Sequence, residues 1–167
     1  MNLDARTDPL VGPLPTLLWR WDAETDILSG AMTGVAKLTG LTGTVELTDD
    51  EGSIAVVDVA GGVLRGLDIV VWPEVTEIEG LVAPLPARDA QVVLPPRSSQ
   101  PGIASLEVDT TLSVAANLDH DVLHLRIGTK RQVEVVRIAD RLLVEVDPKN
   151  RLAGFWLLNV PQLDESP

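Results

Sequence analysis

Apolar positions in this chain recur with a period of two, and stretches of helical length with a 3.6-residue period are missing. Leu17, Trp19 and Trp21 alternate with Leu18 and Arg20, and the run Gln132–Ile138 repeats the pattern. Alternation of this kind sends one side of an extended chain into a core and the other into water. Valine is abundant, and turn signals return at roughly 8–12-residue spacing, as in sandwiches and barrels. The pattern predicts a mainly antiparallel all-β protein with little helix. Its strands fall near 16–21, 26–31, 43–47, 53–59 and 64–72, and again near 111–116, 121–127, 132–138, 141–147 and 151–159.

The two sets of strands are copies of one pattern. Thr16–Leu28 matches Thr111–Leu123 at a constant offset of 95, with Asp22 facing Asn117. Ile54–Pro73 matches Leu142–Pro161 at an offset of 88, pairing Val56 with Val144, Leu64 with Leu152 and Gly66 with Gly154. The change of offset places seven extra residues in the first copy, within Thr33–Gly43. Duplication sets architecture before anything else does. It predicts two tandem β-meander repeats packed about a pseudo-two-fold axis as a sandwich or barrel.

The organisation expected is a flexible tail over 1–15, a first repeat over 16–75, a connector over 76–110, a second repeat over 111–163 and a short tail over 164–167. Pro84, Pro86, Pro95, Pro96 and Pro101 confine the connector to linker or sheet edge, with local pairing at Gln91–Leu94 and Ile103–Val108. Asp22 and Asp26 bracket a turn in which an Asp or Asn side chain bonds the backbone two residues on, a role Asn117 can fill in the second copy. Gly66 and Gly154, inside strands, predict a bulge or a close approach by a neighbour.

Both halves resemble the bacterial family catalogued as domain of unknown function 2283. The resemblance rests on Trp21-Asp22-Ala23-Glu24-Thr25-Asp26-Ile27-Leu28 and on Val56–Val59, the Ala60-Gly61-Gly62 turn and Leu64-Arg65-Gly66-Leu67-Asp68-Ile69. The second copy departs from it with Ala116 for the aromatic residue, Asn117 for the first Asp and Trp156 where the first copy has Asp68. The resemblance implies a β-meander and no established activity.

Composition narrows the chemistry. There is no cysteine, which removes thiolate catalysis and thiolate metal sites. The net charge of −12 argues against nucleic acid or an anionic membrane as partner. The N-terminus has neither a secretory apolar run nor a membrane-length one, so a cytoplasmic protein is expected, and ten Arg against three Lys suits a GC-rich bacterial genome. The charge is uneven. The stretch Arg126–Arg151 is locally basic, and Arg126, Lys130, Arg131, Arg137 and Arg141 form a candidate surface for an acidic partner, unless they are spent in cross-strand ion pairs.

No catalytic constellation, phosphate loop or metal site stands out, and no cofactor is expected. Asp22, Glu24 and Asp26 read as a hairpin turn and not as a calcium site. His120 and His124, with Val122 between them, read as one strand face, about 13 Å apart at the ~3.3 Å rise of a strand and too distant to share a metal. The expectation is a non-enzymatic module acting by protein association, with itself as a homodimer or with a dedicated partner. The alternative is a small-ligand or anion-binding protein using the cleft between the repeats, with a hydrolase further behind.

Overall fold

The computed structural model describes residues 3–33, 42–94 and 103–162. These form strands β1 (Arg6–Asp8), β2 (Thr16–Asp22), β3 (Ile27–Thr33), β4 (Thr42–Thr48), β5 (Ile54–Ala60), β6 (Val63–Val71), β7 (Val75–Glu77), β8 (Arg88–Asp89), β9 (Gln91–Val93), β10 (Ile103–Asp109), β11 (Leu112–Ala116), β12 (Val122–Ile127), β13 (Glu134–Ala139), β14 (Leu142–Val146) and β15 (Leu152–Leu158). The protein is all-β, in two sheets. Among the described residues no helix is long and apolar enough to cross a membrane.

Both copies have the same strand order. The first runs β2-β3-β6-β5-β4 and the second β11-β12-β15-β14-β13. The up-and-down sequence of a simple meander is therefore broken in each copy, because the last strand inserts beside the second. The paired hairpins agree residue for residue: Leu17 faces Met32 and Trp21 faces Leu28, as Leu112 faces Ile127 and Ala116 faces Leu123.

The later hairpins correct the sequence alignment by one residue. Val57 faces Leu67 where Val144 faces Phe155, so Val144 corresponds to Val57 and not to Val56. The cause is the turn. In the first copy Gly61 and Gly62 make a two-residue connection, both at positive φ, 61° and 79°. That is the hairpin geometry Gly-Gly favours. In the second copy Pro148-Lys149-Asn150 makes a three-residue connection with Asn150 at φ 57°. The excess of the first copy is correspondingly larger than its offset suggests, and it is divided. Part lies in residues 34–41, outside the described residues, and part in the Asp49–Ser53 loop, which replaces the tight Asp140-Arg141 turn.

Inward-facing residues of both sheets merge into one core, including Leu17, Leu28, Val57, Leu67, Leu125, Val144 and Phe155. The copies also cap each other. The Asp140 carboxylate accepts the Leu17 N–H at 2.8 Å, and the Asp49 carboxylate accepts the Leu112 N–H at 2.7 Å. Leu17 and Leu112 are equivalent, as are the two turns, so this exchange is the pseudo-two-fold in atomic form.

The described residues outside the copies take part in the sheets and the core. Within 1–15, where a loose tail is expected, Leu3 and Ala5 are buried and β1 pairs with β9. The connector supplies edge strands to both sheets, and they pair at long range instead of locally. Strand β10 runs parallel to β4, β7 parallel to β11, and β8 parallel to β13.

Candidate functional site

The outer face of the second sheet carries a polar cluster. In β12, β14 and β15 the core takes Leu123, Leu125 and Ile127, Val144 and Val146, and Phe155 and Leu157. The pleat then turns His124, Arg126, Glu145 and Trp156 to the opposite face. Pairing sets His124 opposite Trp156 and Arg126 opposite Gly154, while Glu145 also faces Gly154 from the other side.

Glu145 is the centre of the cluster. Only 8% of it is exposed, yet both oxygens are used. The His124 Nε2–H donates to Oε1 at 2.9 Å, and the Trp156 Nε1–H donates to Oε2 at 3.1 Å. The imidazole stacks on the indole with centroids 4.3 Å apart and an interplanar angle of 21°. Gly154 makes room for this. A Cβ there would lie 2.6 Å from Glu145 Oε1 and 2.6 Å from the Leu125 carbonyl oxygen. Hydrogen bonds to both carboxylate oxygens hold the Glu145 side chain in one geometry.

Beside the cluster lies a cavity of about 120 Å³ lined by His124, Arg126, Thr129, Lys130, Arg131, Val133, Glu145 and Ala153. It gathers three of the five candidate basic residues, and their states differ. Arg131 is committed to Asp147 at 2.8 Å and to the carbonyls of Ile127, Thr129 and Leu152. Arg126 and Lys130 have no ion-pair partner among the described residues. Arg137 lies elsewhere and grips Asp89 with two hydrogen bonds of 2.8 and 3.0 Å. Arg141 approaches Asp140 at 3.9 Å. Arg137 on β13 thus pairs across to Asp89 on β8, whereas Arg131, in the loop between β12 and β13, is held by Asp147, and the cations without an ion pair among the described residues are Arg126 and Lys130.

Asp147, at the edge of this region, is buried and accepts from Arg131, Arg151 and the N–H groups of Lys149 and Arg151. Burial alone pushes its carboxyl up, but the Arg131 hydrogen bond, those two N–H groups and the Arg151 charge together hold it below the ordinary aspartate range.

The two histidines do not share a strand. His120 sits before β12 in the turn, at φ 56°, and its Nε2–H donates to Glu77 at 2.8 Å. His124 alone belongs to the outer face. Asp22 and Asn117 both act as turn formers: Asp22 Oδ1 accepts the Glu24 N–H, and Asn117 Oδ1 accepts those of Asp121 and Val122. Among the described residues no three His, Asp or Glu side chains converge as a metal site.

The equivalent face of the first sheet is built differently. Register places Ser29, Ala31, Asp58 and Asp68 where the second copy has His124, Arg126, Glu145 and Trp156. Burial, and then the neighbouring charge of Asp68, push the Asp58 carboxyl up. Burial also raises Asp68, against hydrogen bonds from Ser29 and the Gly30 backbone. Glu145 escaped the sequence reading because the one-residue slip aligned Asp58 with Val146. An alignment that allowed for unequal turns would have set two acids, each above a glycine, in register.

No protein-family model matches this chain, and no curated protein sequence matches it. The family resemblance therefore rests on its motif residues alone.

Proposed function

We propose that this chain is a non-catalytic binding module that docks an acidic segment of a partner protein on the outer face of its second sheet. One observation carries the reading: two uncommitted cations, Arg126 and Lys130, line a cavity together with His124 and Glu145, and Glu145 is held in place by hydrogen bonds from His124 and Trp156. In a chain of net charge −12, most surfaces repel an acidic peptide. This patch attracts one, and the cavity is of a size to admit a carboxylate. Complementary charge at such a rim sets partner choice and encounter rate more than affinity.

The test is titration with a glutamate-rich peptide at low ionic strength, by calorimetry. Binding that weakens with salt and is lost in the Arg126→Glu/Lys130→Glu double variant, at unchanged melting temperature, supports the reading. No binding, or binding indifferent to the double variant, removes it.

A second source of the acidic surface is another copy of the chain. The outer face of the first sheet presents Asp58 and Asp68 together with Glu46 and Glu107, which lie side by side in register. A contact between unlike faces is head-to-tail and builds chains of copies unless the rotation closes. Light scattering at low salt separates the two sources: mass that grows with concentration assigns the partner role to the chain itself.

A further inference from the structure

We propose that the seam between the two copies is a separate site for a small organic cation, such as a methylated or quaternary ammonium group. This inference is independent of the acidic-partner reading. A cavity of about 140 Å³ lies there, lined by Trp21, Trp72, Val75, His120 and Leu123. The tryptophans come from the first copy, His120 and Leu123 from the second, and Val75 from β7, so the cavity exists only where the copies meet.

The indoles stack with centroids 5.5 Å apart and an interplanar angle of 22°. Neither has a polar atom left for a ligand. The Trp21 Nε1–H donates to the Pro161 carbonyl at 2.7 Å, and that of Trp72 donates to the Asp26 carbonyl at 2.7 Å. What remains is carbon and π surface, beside the aliphatic walls of Val75 and Leu123. A cation is drawn to the face of a tryptophan more strongly than to any other aromatic residue.

Charge selects the cation over a neutral guest of the same shape. Glu77 stands at the rim through its bond to His120. The two hairpin turns at this end of the sandwich add Asp22, Glu24 and Asp26 on one side and Asp119 and Asp121 on the other. His120 is the one basic side chain these turns carry. Size agrees: an apolar cavity of about 150 Å³ takes one benzene ring, close to the bulk of a trimethylammonium head. A longer ligand leaves its remainder in solvent.

The four indole N–H resonances give a direct readout. In a titration of the ¹⁵N-labelled protein with choline, against sodium chloride of equal ionic strength, the Trp21 and Trp72 signals move saturably while those of Trp19 and Trp156 stay. The neutral isostere 3,3-dimethylbutanol binds about tenfold more weakly, the share expected of a cation–π contact. Glu77→Gln, at an exposed position, lowers choline affinity several-fold without changing the melting temperature. The proposal is overturned if choline at millimolar concentration moves neither signal, or if the neutral isostere binds as well as choline.

Discussion

Asp58 and Glu145 occupy one position in the two copies, and their surroundings give them opposite energetics. Glu145 receives two N–H donors, whereas Asp58 faces a second carboxylate. With its carboxyl raised, folded Asp58 holds a proton more tightly than the unfolded chain does. The stability linked to it is full below the unfolded value, near 3.8, and is lost as pH rises through the folded value. Asp58→Asn therefore stabilises the protein at neutral pH, by less than about 1 kcal/mol because solvent screens a half-buried group. Melting curves at neutral and mildly acidic pH read this out: the variant gains at neutral pH and loses the upturn toward acid. Glu145→Ala does the reverse. It strands the His124 and Trp156 donors on a buried face and costs about 1–3 kcal/mol in denaturant unfolding, and Glu145→Gln, which can still accept one of the two bonds, costs less.

At the scale of the element, glycines and turns decide how strands meet. Gly66 and Gly154 each lie under an acidic side chain and against a neighbouring carbonyl, next to a bulge. Gly154→Ala overpacks both contacts and destabilises by about 1–3 kcal/mol. It also displaces Glu145, so the Trp156 fluorescence shifts with the melting point. The caps follow the same logic. The N–H groups of Glu51 and Leu112 hold the Asp49 carboxyl below its ordinary value. Its contribution is present above about pH 3.8 and is lost as pH falls through the folded value. Asp49→Ala and Asp140→Ala each cost about 1 kcal/mol, nearly additively since the two caps share no hydrogen-bond partner, as a double-mutant cycle on melting free energies would show.

Strand positions were legible because alternation marks them directly, and both in-strand glycines showed where the chain bends. Strand order was not legible. Alternation says which face a residue takes and is silent on which strand lies beside it. The equivalence of Asp58 and Glu145 was hidden by one turn residue, and with it the cluster around His124. The basic stretch was visible as charge, but the acids that consume Arg137 and Arg131, Asp89 and Asp147, reach them only through sheet pairing.

The whole molecule is one core shared by two interlocked copies. Connector strands β9 and β10 complete the first sheet, and β7 and β8 complete the second. The caps cross between copies as well, so neither half carries its own full complement of partners. Fragments 1–94 and 95–167 are accordingly expected to be unfolded by circular dichroism when separate and to regain β structure when mixed. The two outer faces differ in charge, the first presenting Asp58, Asp68, Glu46 and Glu107 and the second the unpaired Arg126 and Lys130. For the proposed docking of an acidic segment on the second face, affinity is expected to follow charge and shape.

The most direct test of the account is where a bound acidic peptide lands. In a ¹H–¹⁵N titration with the glutamate-rich peptide, shifts are expected only in the His124–Arg131 stretch, Glu145 and the Ala153–Trp156 segment, with the first sheet silent. Shifts centred on any other surface, or none at low salt, would contradict the assignment of the second sheet's outer face as the docking site.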